Sequence, residues 1–289
     1  MTWIGCGQLT WKHDDDETVM REIAGAGYDG APGPISINRP AGEVVSWFAG
    51  FGLKPAPPYF SAQFWDPAAA EGILGAAGPV ATYVRELGCT ELYVAAEGIE
   101  HIAPSGKTRG ELAGHVVAAD AMTEKEFAQF AAVLGRFADA TLAEGVTACF
   151  HNHVGTVIET ADELATLLSL VPGDSLWLGL DTGHIAWAGD DAVEVCLNYL
   201  DRIRTLHLKD VNGAIREQGV REDWEYGQFT AAGVFAELGE GVVDFPAILT
   251  PLFDAGFDGW LIVETDITMK STALESATTS RDYLRTLGL

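Results

Sequence analysis

Four apolar runs in the second half of the chain end abruptly in groups that bind metals or move protons. They read TACFHNHVGT, LWLGLDTGH, IRTLHLKD and GWLIVET, and four of the seven histidines fall within them. Side chains alternate along a strand, so His151 and His153 share a face, as do His207 and Lys209. Inward placement converges His151, Asp181, His207 and Glu264 on one point. Two imidazoles and two carboxylates make a mixed N/O metal site, suited to Mn²⁺ first, and to Co²⁺, Fe²⁺ or Zn²⁺ better than Ca²⁺; Mg²⁺ is also admitted. His153, His151, Glu264 and Lys209 are the acid/base candidates. Each residue alone has a plainer explanation. An inward His is more often a hydrogen-bonded core residue, Asp181 would serve as the cap of a following helix, and Lys209 would be neutralised by Asp210. The functional reading rests on their clustering at consecutive strand ends.

The elements that must position these groups alternate strand and helix. Candidate strands are Trp3–Leu9, Tyr28–Ala31, Lys54–Phe60, Glu91–Ala96, Thr147–His153, Leu176–Asp181, Ile203–Lys209 and Gly259–Thr265. Helical spacing covers Glu17–Ala26, Pro67–Leu87, Glu124–Glu144, Ala161–Leu170, Ala192–Leu200, Phe245–Ala255 and a closing helix, Ala273–Leu287. Such alternation implies a parallel sheet with helical crossovers. Eight repeats imply closure into an α/β (β/α)8 TIM barrel, a single catalytic domain over residues 1–289. Two long connections, from Gly98 to about Met122 and from Asp210 to about Asp244, follow strands. They therefore belong on the C-terminal face, where barrel active sites form.

The composition narrows the function classes. With 289 residues and 48% hydrophobic residues, the chain can bury a large core. Its 17 Lys+Arg against 42 Asp+Glu give a net charge of −25, which repels phosphate backbones, anionic lipid and highly anionic substrates. No nucleic-acid partner is expected. Solubility or adaptation to salt explains the charge. Cys6, Cys89, Cys149 and Cys196 form no CxxC pair and read as buried free thiols. The N-terminus lacks a signal-peptide pattern and no apolar run is long enough for a membrane span, so the expected location is cytoplasmic. There is no P-loop, dinucleotide-binding glycine fingerprint or GxSxG elbow, and so no nucleotide cofactor is implied. Trp11, Trp65, Trp187 and Trp224 are placed to pack on sugar C–H faces, with core or interface packing as the alternative.

The runs FHNHVGTVIETADEL, LGLDTGHIAWAGDD, DRIRTLHLKDVN, FAELGEGVVDFPAIL and GWLIVETD, with WIGCGQLTWKHDD at the start, resemble the xylose-isomerase-like barrel superfamily of sugar isomerases, epimerases and dehydratases. Within it the chain is most similar to the inosose (2-keto-myo-inositol) dehydratases. The resemblance implies Asp181, His207 and Glu264 as metal ligands, and His184 as a residue that contacts substrate oxygen or transfers protons. The ligand on the fifth strand is usually Glu. Here that position holds His151, with His153 or Glu159 as alternative fourth ligands. The acid of the second strand is missing from YDGAPG. Relatives are often dimers or tetramers, so a homo-oligomer is implied.

Replacing a carboxylate by His makes the first shell less anionic and the ion a stronger Lewis acid toward a ketone. Symmetric epimerisation wants a carboxylate base on each face of the substrate, whereas a His on one side fits separate acid and base roles. The expectation is metal-dependent β-elimination from a small cyclic keto-polyol such as 2-keto-myo-inositol, with water or an alcohol departing. The alternatives are elimination from a 3-keto-glycoside, aldose–ketose isomerisation or epimerisation at the same metal, a non-catalytic sugar-binding barrel, and an apurinic endonuclease. The last needs a multi-zinc site and a basic face that this sequence lacks.

Overall fold

The β-rich runs become the staves of a barrel. The computed structural model describes residues 2–12, 14–171 and 173–289. Its strands are β1 (Trp3–Cys6), β2 (Gly30–Pro32), β3 (Lys54–Ala56), β4 (Tyr59–Ala62), β5 (Glu91–Ala96), β6 (Thr147–His151), β7 (Leu176–Asp181), β8 (Ile203–Leu208), β9 (Asp210–Val211), β10 (Phe235–Ala236) and β11 (Trp260–Val263). A curled parallel sheet runs β3-β2-β1-β11-β8-β7-β6-β5-β4. Its two ends, β3 and β4, are one stave interrupted at Pro57-Pro58. Proline has no N–H to donate, but its carbonyl still accepts. Pro58 O takes the Tyr93 N–H at 2.9 Å, and Ala56 O takes the Gly33 N–H at 3.1 Å. The chain itself thus closes the (β/α)8 barrel expected from the alternation.

The helices are α1 (Asp16–Ala26), α2 (Ala41–Gly50), α3 (Ala70–Glu86), α4 (Glu124–Ala143), α5 (Ala161–Leu170), α6 (Thr182–Ala188), α7 (Ala192–Asn198), α8 (Gly213–Arg221), α9 (Tyr226–Ala232), α10 (Phe245–Asp254) and α11 (Ala273–Thr286). Local chemistry sets their starts. Thr123 with Glu126 and Thr160 with Glu163 form reciprocal capping boxes that satisfy the first free N–H groups of α4 and α5. Gly27 ends α1 with φ 88°, a left-handed position that suits a residue without Cβ. The main core lies between the sheet and its helices. A smaller one, made by Ala113, Val154, Trp187, Val211, Phe229, Val234 and Phe235, draws its members from the connections that follow β5, β6, β7 and β8.

Two expectations change. The connection from Asp210 to Asp244 is structured: it holds α8, α9 and the antiparallel pair β9–β10. Asp210 also does not neutralise Lys209. Its carboxylate accepts backbone N–H groups from Val211, Gly239, Gly241 and Val243 at 2.9–3.0 Å, folding the connection back on itself. Cys6, Cys89, Cys149 and Cys196 are free and buried, as expected. No helix among the described residues is long and apolar enough to cross a membrane.

Candidate active site and metal centre

The ends of β6, β7, β8 and β11 bring the sequence candidates together. Asp181 is the last residue of β7 and the cap of α6. Its Oδ1 accepts the His184 N–H at 2.9 Å, while Oδ2 faces the barrel axis. Helix capping and site function thus use different oxygens of one carboxylate. Asn152, just past β6, clamps the Asp181 backbone from both sides, accepting its N–H at 3.0 Å and donating to its carbonyl at 3.3 Å. Two glycines make room. A Cβ on Gly183 would lie 2.5 Å from Lys209 Cγ, and one on Gly7 would lie 2.8 Å from Glu264 Oε1.

Asp181, His207 and Glu264 present ligand atoms within 4.8 Å of one another, and His151 and His184 form a second group with Asp181 at the same spacing. The four expected metal ligands are therefore not one equidistant set: His151 joins the other three through Asp181. His151 Nδ1 lies 3.3 Å from Gly179 O. A carbonyl only accepts, so Nδ1 carries the proton and Nε2 keeps the lone pair that a metal ligand needs. Glu159, the alternative ligand, is turned away from this cluster. Its two oxygens accept the Gly114 and Gly155 N–H groups at 2.8 and 2.7 Å.

The electrostatics divide the groups. Lys209 is fully enclosed, and its ammonium sits 3.3 Å from Asp181 Oδ2, 3.0 Å from Glu264 Oε2, 3.1 Å from Asp266 Oδ1 and 3.2 Å from His184 Nε2. Burial alone would raise the carboxyl pKa values, yet Lys209 holds both Asp181 and Glu264 well below the usual range. Asp266 takes the opposite direction. Burial raises it, and repulsion from Glu264 and Asp181 adds to the rise despite Lys209. Burial opposes charge on His207, but Glu264 and Asp181 outweigh it and push its pKa up to about 9. His153 is lowered to about 4 by burial and then by Lys209.

The donor set fits a divalent ion. His207 Nε2 is buried without a hydrogen-bond partner, which costs about 1–3 kcal/mol unless something binds there, and Asp181 Oδ2 and His207 Nδ1 are held only by ion-pair contacts, the closest to Lys209 and Glu264. Three carboxylates against the Lys209 ammonium and the His207 imidazolium of the metal-free site still leave the cluster anionic. Asp181, His207 and Glu264 would hold the ion, with His151 beside them.

A cavity of about 480 Å³ opens over the cluster, lined by His151, His153, His207, Glu264 and Asp266 on one side and by Gly7, Gln8, Leu9, Pro32, Pro57, Tyr59 and Tyr93 on the other. Of the catalytic candidates, His153 and Glu264 line it. His184 and Lys209 lie behind: His184 packs at a tilt against His153 with ring centroids 3.8 Å apart, and Lys209 balances the carboxylates. The expected tryptophans do not line this cavity. Trp11 and Trp187 are core residues, Trp224 packs on the smaller core, and Trp65 belongs to a neighbouring cavity. Tyrosines supply the aromatic surface instead. Asp266 and Asn152 escaped the sequence reading. Parity with Glu264 would have found Asp266, whereas Asn152 carried no signal.

Comparison with known proteins agrees with this architecture. An inosose dehydratase from Geobacillus kaustophilus (strain HTA426) is 28% identical over 277 residues, 91% of this chain and 87% of its own. Among solved structures, the IOLI protein with a binding zinc atom superposes with a TM-score of 0.71 at 16% identity, over 99% of this chain and 97% of its own. The probable 3-DHS dehydratase AsbF from Bacillus anthracis does so with a TM-score of 0.73 at 15% identity, over 99% of both chains. The family model described as xylose isomerase-like TIM barrel matches residues 79–287. With that match spanning most of the barrel, the chain belongs to the xylose isomerase-like TIM-barrel family.

Proposed function

We propose that the protein is a divalent-metal-dependent carbon–oxygen lyase, eliminating water or an alcohol from the position β to the ketone of a cyclic keto-polyol such as 2-keto-myo-inositol. The observation that carries this reading is the asymmetry of the cavity. Carboxylates and imidazoles line one side only, and the facing wall is glycine, glutamine, leucine, proline and tyrosine. The two carboxylates, Glu264 and Asp266, both follow β11, so epimerisation through carboxylate bases on opposite faces of a substrate finds no carboxylate on the facing wall. The similarity to an inosose dehydratase and to a dehydratase fold, and the zinc of the IOLI protein, support the same reading.

A bound divalent ion would supply Lewis-acid polarisation of the ketone oxygen. The chain's own residues do the rest. His153 Nδ1 donates to Val154 O at 2.7 Å, which fixes the tautomer and leaves Nε2 as a free base. Its low pKa keeps it neutral at pH 7, so it accepts the acidic proton next to the ketone. The resulting imidazolium is disfavoured by burial and by Lys209, and it readily passes that proton to the departing β-oxygen. His184 packs at a tilt behind His153 and holds the ring in place. Lys209 keeps Asp181 and Glu264 ionised, and Tyr59 and Tyr93 close the apolar side of the cavity.

Proton NMR in D2O tests this directly. The Mn²⁺-loaded protein turns over 2-keto-myo-inositol, and the metal is stripped before spectra are recorded. The expected result is loss of a β-oxygen with an unsaturated or diketone product. Deuterium uptake or a new stereoisomer without elimination would assign the site to an isomerase or epimerase instead.

A further inference from the structure

Beside the main cavity lies a second one of about 400 Å³. The two share Tyr59 and His153 as a common wall. The side cavity therefore adjoins the site at the wall where the proposed base stands. Either volume alone falls within the range of small-ligand sites, roughly 300–1,000 Å³. One cyclic keto-polyol needs only the first.

The lining of the side cavity describes its occupant. Trp65, Ile99 and the Tyr59 ring give apolar and aromatic surface, and Ser61, Gln63 and His101 give hydrogen-bonding groups. Glu97 and Glu100 are the charged residues of the wall; Lys and Arg are missing from its lining among the described residues. An anionic group such as a phosphate would meet like charge and no counter-ion. The fixed parts are well held. Trp65 Nε1 donates to Glu97 O at 2.9 Å, its ring packs edge-on against His101 at 4.7 Å between centroids, and Ser61 Oγ donates to Glu97 Oε1 at 3.1 Å. Ile99 of the wall and Ile102 of the same connection stand exposed, at 43% and 59%.

We infer that the side cavity is a leaving-group subsite for a neutral, ring-bearing alcohol, so that the substrate is an O-substituted keto-polyol, a keto-glycoside or aryl ether. This rests on the elimination reading above and specifies what departs. The ketone ring occupies the main cavity, and the bond that breaks lies at the junction beside His153. The C–H bond next to the ketone breaks and its proton goes to His153. Its electron pair forms the new C=C bond, the β-C–O bond breaks, and the departing oxygen takes the proton from His153. The products are an enone and the free alcohol, with no oxidant or co-reactant consumed.

The test compares leaving groups on the Mn²⁺-loaded protein: 2-keto-myo-inositol, which loses water, and the methyl, phenyl and glucosyl 3-keto-β-glucosides. Enone and alcohol are both quantified. The expected result is that kcat/KM for the phenyl or glucosyl substrate exceeds that for the methyl substrate by at least tenfold. Trp65→Ala should bring that ratio down by about tenfold. Ile99→Trp enlarges a half-exposed side chain of the cavity wall and should do the same, with circular dichroism checking that its packing against Gly110 and Gly155 survives. The better of the two ring substrates identifies the alcohol as aryl or sugar. Elimination from keto-inositol and the methyl substrate, with a ratio near one that neither variant moves, would overturn the subsite and leave the elimination reading standing. No elimination from any of the four would overturn both.

Discussion

The mouth of the barrel has two halves built on different principles. One half is carried by β6, β7, β8 and β11 and holds the imidazoles, carboxylates and ammonium of the site: His151, His153, Asp181, His184, His207, Lys209, Glu264 and Asp266. The other is carried by β1, β2 and the broken β3–β4 stave, and presents Gly7, Gln8, Pro32, Pro57 and Tyr59. The strands differ accordingly. β7 and β8 are six residues long, whereas β2 and β3 have three each. The six-residue strands hold charged groups at fixed spacing, which preorganised electrostatics require, and their pairing shifts register once, between Leu178 and Gly179. Short strands broken by proline give a wall whose shape can differ without disturbing that spacing. Chemistry and substrate shape are thus assigned to separate arcs of one barrel.

The sharpest way to break this division is to remove a ligand from the charged half and a side chain from the wall. His207→Ala should lose its stoichiometric divalent ion and lower kcat by about 10³-fold or more with the fold intact. Tyr59→Phe should keep the ion and change KM within about tenfold. Metal analysis and circular dichroism of both variants decide it, and retained metal in His207→Ala would remove the metal centre from this half.

A smaller effect probes the ammonium at the centre. Lys209 touches Asp181, Glu264 and Asp266, so Lys209→Met leaves buried carboxylates uncompensated. The metal-free variant should lose about 3–5 kcal/mol of stability, and a saturating divalent ion should recover much of it by binding the same carboxylates. Denaturant unfolding with and without metal measures this. An equal deficit in both conditions would mean that Lys209 acts through packing.

How much of this was legible in the sequence also follows the division. β5, β7 and α5 have the bounds that periodicity gives them, because an apolar run or a capping box marks both ends. His151, Asp181, His207 and Glu264 were visible because each closes such a run. Their fastenings were not, since these are contacts between distant positions without local pattern. Arg109 binds Glu163 at 2.9 Å and donates to Thr156 O at 2.6 Å, locking the Gly98–Met122 connection to the turn that carries His153. Asp210 looked like a partner for Lys209 because it is adjacent. Strand alternation turns neighbours to opposite faces, and it serves the loop instead. Tyrosine rather than tryptophan lines the cavity because the large indoles at strand ends were needed for the smaller core, as Trp187 is.

The least of the expected effects concerns those fastenings of the charged half. Glu159 grips the Gly114 and Gly155 N–H groups from a fully buried position. Burial raises its pKa from 4.5 to about 7, outweighing Arg109 and the two N–H donors. The folded state therefore keeps a proton that the unfolded chain releases above pH 4.5. The stabilisation from that proton is fully present below the unfolded value and is lost as pH rises through the folded one, an effect of roughly 3 kcal/mol across pH 4.5–7. Glu159→Gln does not titrate, so its metal-free stability should decline less steeply with pH over that window, whatever its absolute cost. Urea unfolding of both proteins at half-unit pH steps gives the two slopes. Parallel curves would show that Glu159 is already ionised when folded and grips the two N–H groups as a carboxylate. The connections over the charged half would then be held by charge, as Asp210 and Glu163 hold them, and not by a buried neutral acid.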